Sequence, residues 1–129
     1  MGASDFRAEL ALGTALRRVL NKYLFVLMSQ MANSAACLRF HMIGPRLARW
    51  LLMSQDRALA DTFSVTQEFL AYMLGVRRVG ITAAAGALQS GGLIEYHRGR
   101  ITVLDRRGLE EAACGCYAAD RRAYAAQLP

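Results

Sequence analysis

Residues Ser64–Leu104 read SVTQEFLAYMLGVRRVGITAAAGALQSGGLIEYHRGRITVL. Thr66 is a good N-cap, and Phe69, Leu70, Met73 and Leu74 follow it with the apolar period of a helix. Gly75 accepts a backbone conformation that other residues avoid, so the helix should end there. A second periodic run puts Ile81, Ala84, Ala85 and Leu88 on one side, and Gly91-Gly92 stops it. Ile94 and Tyr96 then alternate with Glu95 and His97, as Ile101 and Val103 do with Thr102, which predicts a hairpin with Gly99 at its tip. Helix, tight turn, helix and hairpin is helix–turn–helix spacing, in which the second helix is the one offered to a DNA major groove.

Outward from this stretch the pattern stays helical. A short helix is expected within residues 1–12, with Phe6, Glu9 and Leu10 among its members, and Gly13-Thr14 marks a break and a fresh N-cap. Leu16, Leu20, Leu24, Leu27, Met31, Ala35 and Leu38 then recur at steps of four or three, a narrow apolar seam on a mixed helix. Such a seam suits either an ordinary core-facing helix or a dimerisation helix. His41 to Pro45 reads as a hinge, with Gly44 loosening the backbone and Pro45 fit for a first helical turn. RLARWLLMSQ continues as an amphipathic helix with Trp50 as a core anchor, and Asp56 to Ser64 reads as polar loop. After the hairpin, Asp105 caps a last helix with Leu109, Ala112, Ala113 and Cys116 as its buried stripe, and the tail from Ala118 is expected to fray.

The long ordered string TQEFLAYMLGVRR, AAGALQSGGLI and YHRGRITVLDRRGLE resembles the winged helix–turn–helix of CRP/FNR-type bacterial transcription regulators, from Cys37 to about Tyr117. The resemblance implies a mainly α (α+β) chain: residues 1–40 as hinge and dimerisation helix, residues 41–129 as winged helix–turn–helix domain with a small β-hairpin wing. It also tips the seam of Leu16, Leu20, Leu24, Leu27, Met31 and Leu38 toward dimerisation, since these regulators pair through one long helix just before the DNA-binding domain. The implied partners are double-stranded DNA and a second copy of the chain, with RNA polymerase as a further contact. A truncated subunit that pairs with full-length relatives and modulates their DNA binding is the alternative. Family regulators usually carry an N-terminal β-roll for a cyclic nucleotide or other effector. No strand-rich segment precedes Leu16, so that half is expected to be missing here, whether as a natural short form or a fragment, and no cyclic-nucleotide binding is expected.

On the second helix, the face opposite Ile81 and Leu88 presents Arg78, Val79, Thr82 and Ala83 as the residues expected to read bases. Arg78 is the chief of these, as a forked donor to guanine O6 and N7. The bland reading of Arg78, a solvated surface arginine or a phosphate contact, is the stronger one for a residue met outside this motif. The best-known family members carry an acidic residue after this arginine and a second basic or polar reader four positions later. Val79 and Ala83 stand there instead, so the operator of those relatives does not transfer. Thr66, Gln67, Arg77, His97, Arg98 and Arg100 are expected on phosphates, where they fix register and supply salt-dependent affinity. Gly80 and Gly86 inside the helix each cost about 1 kcal/mol relative to alanine, with close packing as the expected compensation.

The net charge of +6 comes almost wholly from arginine, Lys22 being the sole lysine. That bias suits phosphate and guanine, and equally a high-GC genome, so charge alone decides nothing. Hydrophobic residues make up 54% of the chain and charged ones 20%, which argues against disorder. The most apolar run, Tyr23 to Met28, falls far short of the roughly 20 residues a spanning helix needs, and no signal peptide is visible. A cytoplasmic, reduced chain is expected, and membrane-surface binding by residues 14–38 is disfavoured because Arg17, Arg18 and Lys22 cluster at one end.

Four residues have the chemistry of metal ligands. Cys37 and His41 are one helical turn apart, and Cys114 and Cys116 form a CxC. Together they would make a closed zinc site. Nothing in the sequence brings the two pairs together, and i, i+2 spacing on a helix points thiols apart. They are read as structural or incidental, with no metal and no cofactor. No nucleophile elbow, zinc-protease or P-loop motif is present, and Ser90-Gly91-Gly92 is a helix stop, so no catalytic residue is assigned and an enzyme is not expected.

Overall fold

A computed structural model describes residues 1–128. Its elements in order are α1 (Ala3–Ala11), α2 (Ala15–Phe40), α3 (Ile43–Ala58), β1 (Thr62–Ser64), α4 (Gln67–Leu74), α5 (Arg78–Ser90), β2 (Ile94–His97), β3 (Arg100–Val103), α6 (Arg106–Ala112) and α7 (Gly115–Gln127). The chain is mainly helical with one small antiparallel sheet of order β1-β3-β2.

The core is the meeting of α3, α4, α5, the sheet and α6. Leu47, Leu51 and Leu52 of α3 are fully buried, together with Leu70, Ile81, Ile94, Ile101 and Leu109. Each such side chain stabilises the fold by about 1.5–3 kcal/mol relative to leaving it in water. Trp50 packs on this core from its edge, with its ring 6.5 Å from that of Phe69 at an edge-on angle of 70°.

Where the expected hinge lies, only His41 and Met42 separate α2 from α3. Pro45 stands in the first turn of α3, where a missing amide hydrogen leaves no helical bond unmade. Thr14 is the N-cap of α2 as expected, but its hydroxyl donates to the Glu9 carbonyl at 3.3 Å and not to its own helix.

Three local readings need correction. Thr62–Ser64 is not loop: it is an edge strand paired antiparallel to β3, with Thr62 opposite Thr102 and their hydroxyls 3.0 Å apart. The last helix is two helices, because Ala113 and Cys114 take extended backbone (ψ 153° and 161°) between α6 and α7. The tail does not fray at Ala118: α7 continues to Gln127 against α2 and α3, burying Tyr117 and Asp120. Asp105 caps α6 as expected, accepting from the Gly108 amide at 2.9 Å.

Two buried arginines hold the helices together. Arg46 donates to the Leu74 carbonyl, at the end of α4 where the helix dipole is negative. Arg49 forms an ion pair with Asp120 at 2.6 Å and also donates to Ser34 at 3.0 Å. Asn33 donates to the other Asp120 oxygen at 2.9 Å, so α2, α3 and α7 share one polar node. Burial opposes the Arg49 charge, but Asp120 outweighs it and raises the guanidinium pKa above its ordinary value.

On α2 only Val26 and Cys37 are buried. Leu16 and Leu20 are half-buried, while Leu24, Leu27, Met31 and Leu38 stand exposed. Val19, Phe25 and Met28 widen this apolar surface.

Candidate nucleic-acid interface

The turn between α4 and α5 follows from one residue. Gly75 sits at φ +61° and ψ 39°, and the Val76 amide donates back to the Ala71 carbonyl at 3.0 Å. This six-residue closure ends α4 and sends the chain into α5 after two residues. Thr66 caps the start of α4, accepting from the Phe69 amide at 3.1 Å. Arg77 is the N-cap of α5 and offers its helix no side-chain cap, while its carbonyl accepts from the Gly80 amide at 3.0 Å.

Ile81, Ala85 and Leu88 are buried and Ala84 is half-buried. That leaves Arg77, Arg78, Val79, Thr82 and Ala83 exposed on one surface, Val79 at 73%. Gly80 sits under the start of α3, where a Cβ would meet the Ile43 Cδ1 at 2.7 Å, so close packing accounts for this glycine. It does not account for Gly86, where a Cβ would meet nothing within 4 Å.

The wing projects beside this surface. Arg98 (φ 48°) and Gly99 (φ 73°) form a two-residue turn with both residues left-handed, the geometry that matches the twist of a hairpin. His97, Arg98 and Arg100 are exposed around it. Among the described residues, none of Arg77, Arg78, Arg98 and Arg100 is engaged in an ion pair, so their charge is free for an outside anion.

Between α4, α5 and the wing lies a cleft of about 380 Å³ lined by Thr66, Gln67, Glu68, Arg78, Tyr96, Arg98 and Gly99. Tyr96 had no role assigned from the sequence beyond its place in the strand. Its hydroxyl donates to the Val65 carbonyl at 2.8 Å, and its amide donates to Gln89 of α5 at 2.8 Å. Burial pushes the Tyr96 phenol above its ordinary pKa, and the nearby Arg78 guanidinium opposes that shift. Tyr96 and Gln89 thus fix the wing against α5. The inward phase of the alternation marked Tyr96 for a packed face, but nothing in the sequence marked Gln89 as its partner.

Gln67 also has a partner within the protein. Its side chain accepts from the Thr82 hydroxyl at 2.6 Å, which ties the start of α4 to α5. Thr82, expected as a base reader, spends its one hydroxyl hydrogen on Gln67 or on the Arg78 carbonyl at 3.1 Å. No helix among the described residues is long and apolar enough to cross a membrane.

A tight two-helix turn, a second helix with an unpaired basic N-terminus and an arginine-tipped hairpin beside it define a winged helix–turn–helix, a DNA-binding class of domain. Residues 45–112 match the family model described as the Crp-like helix-turn-helix domain, and the chain belongs to that family. Its fold is similar to a putative transcriptional regulator of the Crp/Fnr family from Eubacterium rectale, at 25% identity and TM-score 0.63 over 81% of this chain. A CRP-family transcriptional regulator from Thermus thermophilus is similar at 26% identity and TM-score 0.59 over 67% of this chain. The catabolite activator protein of the same species is similar at 25% identity and TM-score 0.51 over 88%. The chain spans about half the length of these regulators, 49%, 47% and 47% respectively. No curated protein sequence matches it.

Proposed function

We propose that the protein is a dimeric transcription regulator that reads an inverted repeat by placing the N-terminus of α5 in the major groove. The observation that carries this reading is the exposed, unpaired pair Arg77 and Arg78 beside the Arg98 wing tip. Arg78 donates to a guanine, and Val79 and Ala83 make apolar contact with thymine methyl groups. Arg77, His97, Arg98, Arg100 and the amide end of α4 at Thr66 and Gln67 take phosphates. Residues 1–40 supply pairing through the exposed face of Leu24, Leu27, Met31 and Leu38, while residues 41–129 form the DNA-binding unit. An apolar strip of this kind on an otherwise mixed helix is what a second helix covers.

Selection of bound duplexes from a random pool tests the reading. The expected winner is a palindrome with half-sites about one helical turn (~10 bp) apart. A pool that stays unselected, or selects single asymmetric sites, overturns it.

A further inference from the structure

The sequence offers no reason for Cys37 and His41 to meet Cys114 and Cys116, yet the fold brings all four together. Their ligand atoms lie within 4.8 Å of one another. The expectation that a CxC turns its thiols apart fails because Cys114 is not inside a helix. It is the extended N-cap of α7, and Cys116 belongs to the first turn that follows. Cys37 and His41 come from the last turn and C-cap of α2, one turn apart on the same side. The packing of α7 along α2 sets the two pairs face to face.

The spacings fit one ion. Cys37 Sγ and Cys114 Sγ are 3.4 Å apart, and Cys116 Sγ and His41 Nδ1 are 3.6 Å apart. A tetrahedral zinc ion with Zn–S of about 2.3 Å and Zn–N of about 2.0–2.1 Å sets neighbouring ligands about 3.8 Å (S to S) and about 3.6 Å (S to N) apart. A polyhedron this small has no room for the multi-iron core of an iron–sulfur cluster. The three cysteines are free thiols, not a disulfide and a remainder. Three thiolates and an imidazole in tetrahedral array favour a borderline-soft divalent ion with no geometric preference of its own.

Three thiolates around a divalent ion leave a net charge of −1, and the Arg49 guanidinium attracts it, although that arginine is already paired with Asp120 and donates to Ser34. Cys37 is buried, Cys114 and Cys116 are half-buried, and His41 is exposed, so an ion has a route in from the histidine side.

We propose that Cys37, His41, Cys114 and Cys116 bind one Zn²⁺ in a closed site that fastens the end of α2 to the start of α7. Such a site is structural, since all four positions are protein ligands and none is left for a substrate.

Titrating the reduced, chelator-stripped full chain with Co²⁺ under argon tests this without any DNA. The expected result is one equivalent bound, with the intense visible bands of tetrahedral cobalt, a near-ultraviolet thiolate charge-transfer band, and displacement by Zn²⁺. Bound Zn²⁺ should also shield all three thiols from alkylation. His41→Ala changes an exposed side chain and leaves the fold in place. It should weaken Co²⁺ binding by more than the roughly 10–100-fold that loss of a merely supporting hydrogen bond costs. A weak octahedral cobalt spectrum, alkylation at the same rate with and without Zn²⁺, or a His41→Ala variant that binds Co²⁺ like the parent would each overturn the proposal.

Discussion

Thr82 donates its hydroxyl to the Gln67 side chain across the helix–turn–helix at 2.6 Å. The two residues sit 15 positions apart, on α4 and α5, the helices proposed to meet the DNA backbone and the major groove. Thr82→Val keeps the methyl group and removes the donor. The variant should lose about 0.5–1.5 kcal/mol of stability, and its DNA affinity should fall evenly across operator sequences. Binding measured against single-base operator variants checks this. A preference that relaxes at one base only would show that the hydroxyl leaves Gln67 for that base.

Arg78 carries the base-reading proposal. Arg78→Ala should weaken binding to the selected operator by about 1–3 kcal/mol and relax one base position. The same titrations at several salt concentrations separate the roles. A uniform loss over all sequences with a shallower salt slope marks a phosphate contact instead.

The proposed pairing face can be altered without touching the core. Leu24 is 52% exposed and Met31 is 65% exposed. The double substitution Leu24→Glu with Met31→Glu places two charges on the strip, so a dimer should become a monomer by light scattering while the helical circular-dichroism signal persists. A parent protein that is already monomeric at micromolar concentration would remove α2 as a dimer helix.

Asp120 holds a charge that nothing else nearby replaces. The Arg49 side chain is 9% exposed and that of Asp120 is 3% exposed. Asp120→Asn strands the guanidinium in a buried site and should cost about 3–5 kcal/mol, read as a lowered denaturation midpoint. A change under about 1 kcal/mol would mean that solvent reaches Arg49 in the folded state.

Gly86 lies in open space on the outward side of α5. Gly86→Ala should therefore raise stability by up to about 1 kcal/mol, since no neighbour must move. If stability rises and DNA affinity falls, the bare backbone at Gly86 approaches the duplex.

The parts legible in the sequence are those whose signal is local. The 3.6-residue period around Leu70 and Ile81, the left-handed Gly75 and the alternation around Arg98-Gly99 each announce themselves within a dozen residues, and α4, α5 and the wing follow. The strand Thr62–Ser64 is too short to alternate visibly and exists only because β3 offers it an edge. Arg49 and Asp120 are 71 positions apart, and Cys37 and Cys114 are 77 apart, so no window along the chain could pair them. The break at Cys114 hid for another reason. Ala113, Cys114 and Gly115 carry no proline and no turn dipeptide to interrupt the helical reading.

Only His41 and Met42 lie between the last residue of α2 and the first of α3. In the proposed two-fold pair that short elbow does not bend alone, because α7 lies along α2 and the Arg49–Asp120 node braces the shaft against the head. The pitch of one head relative to the other, and hence which operator spacing such a pair could straddle, would be set by that joint and its brace together.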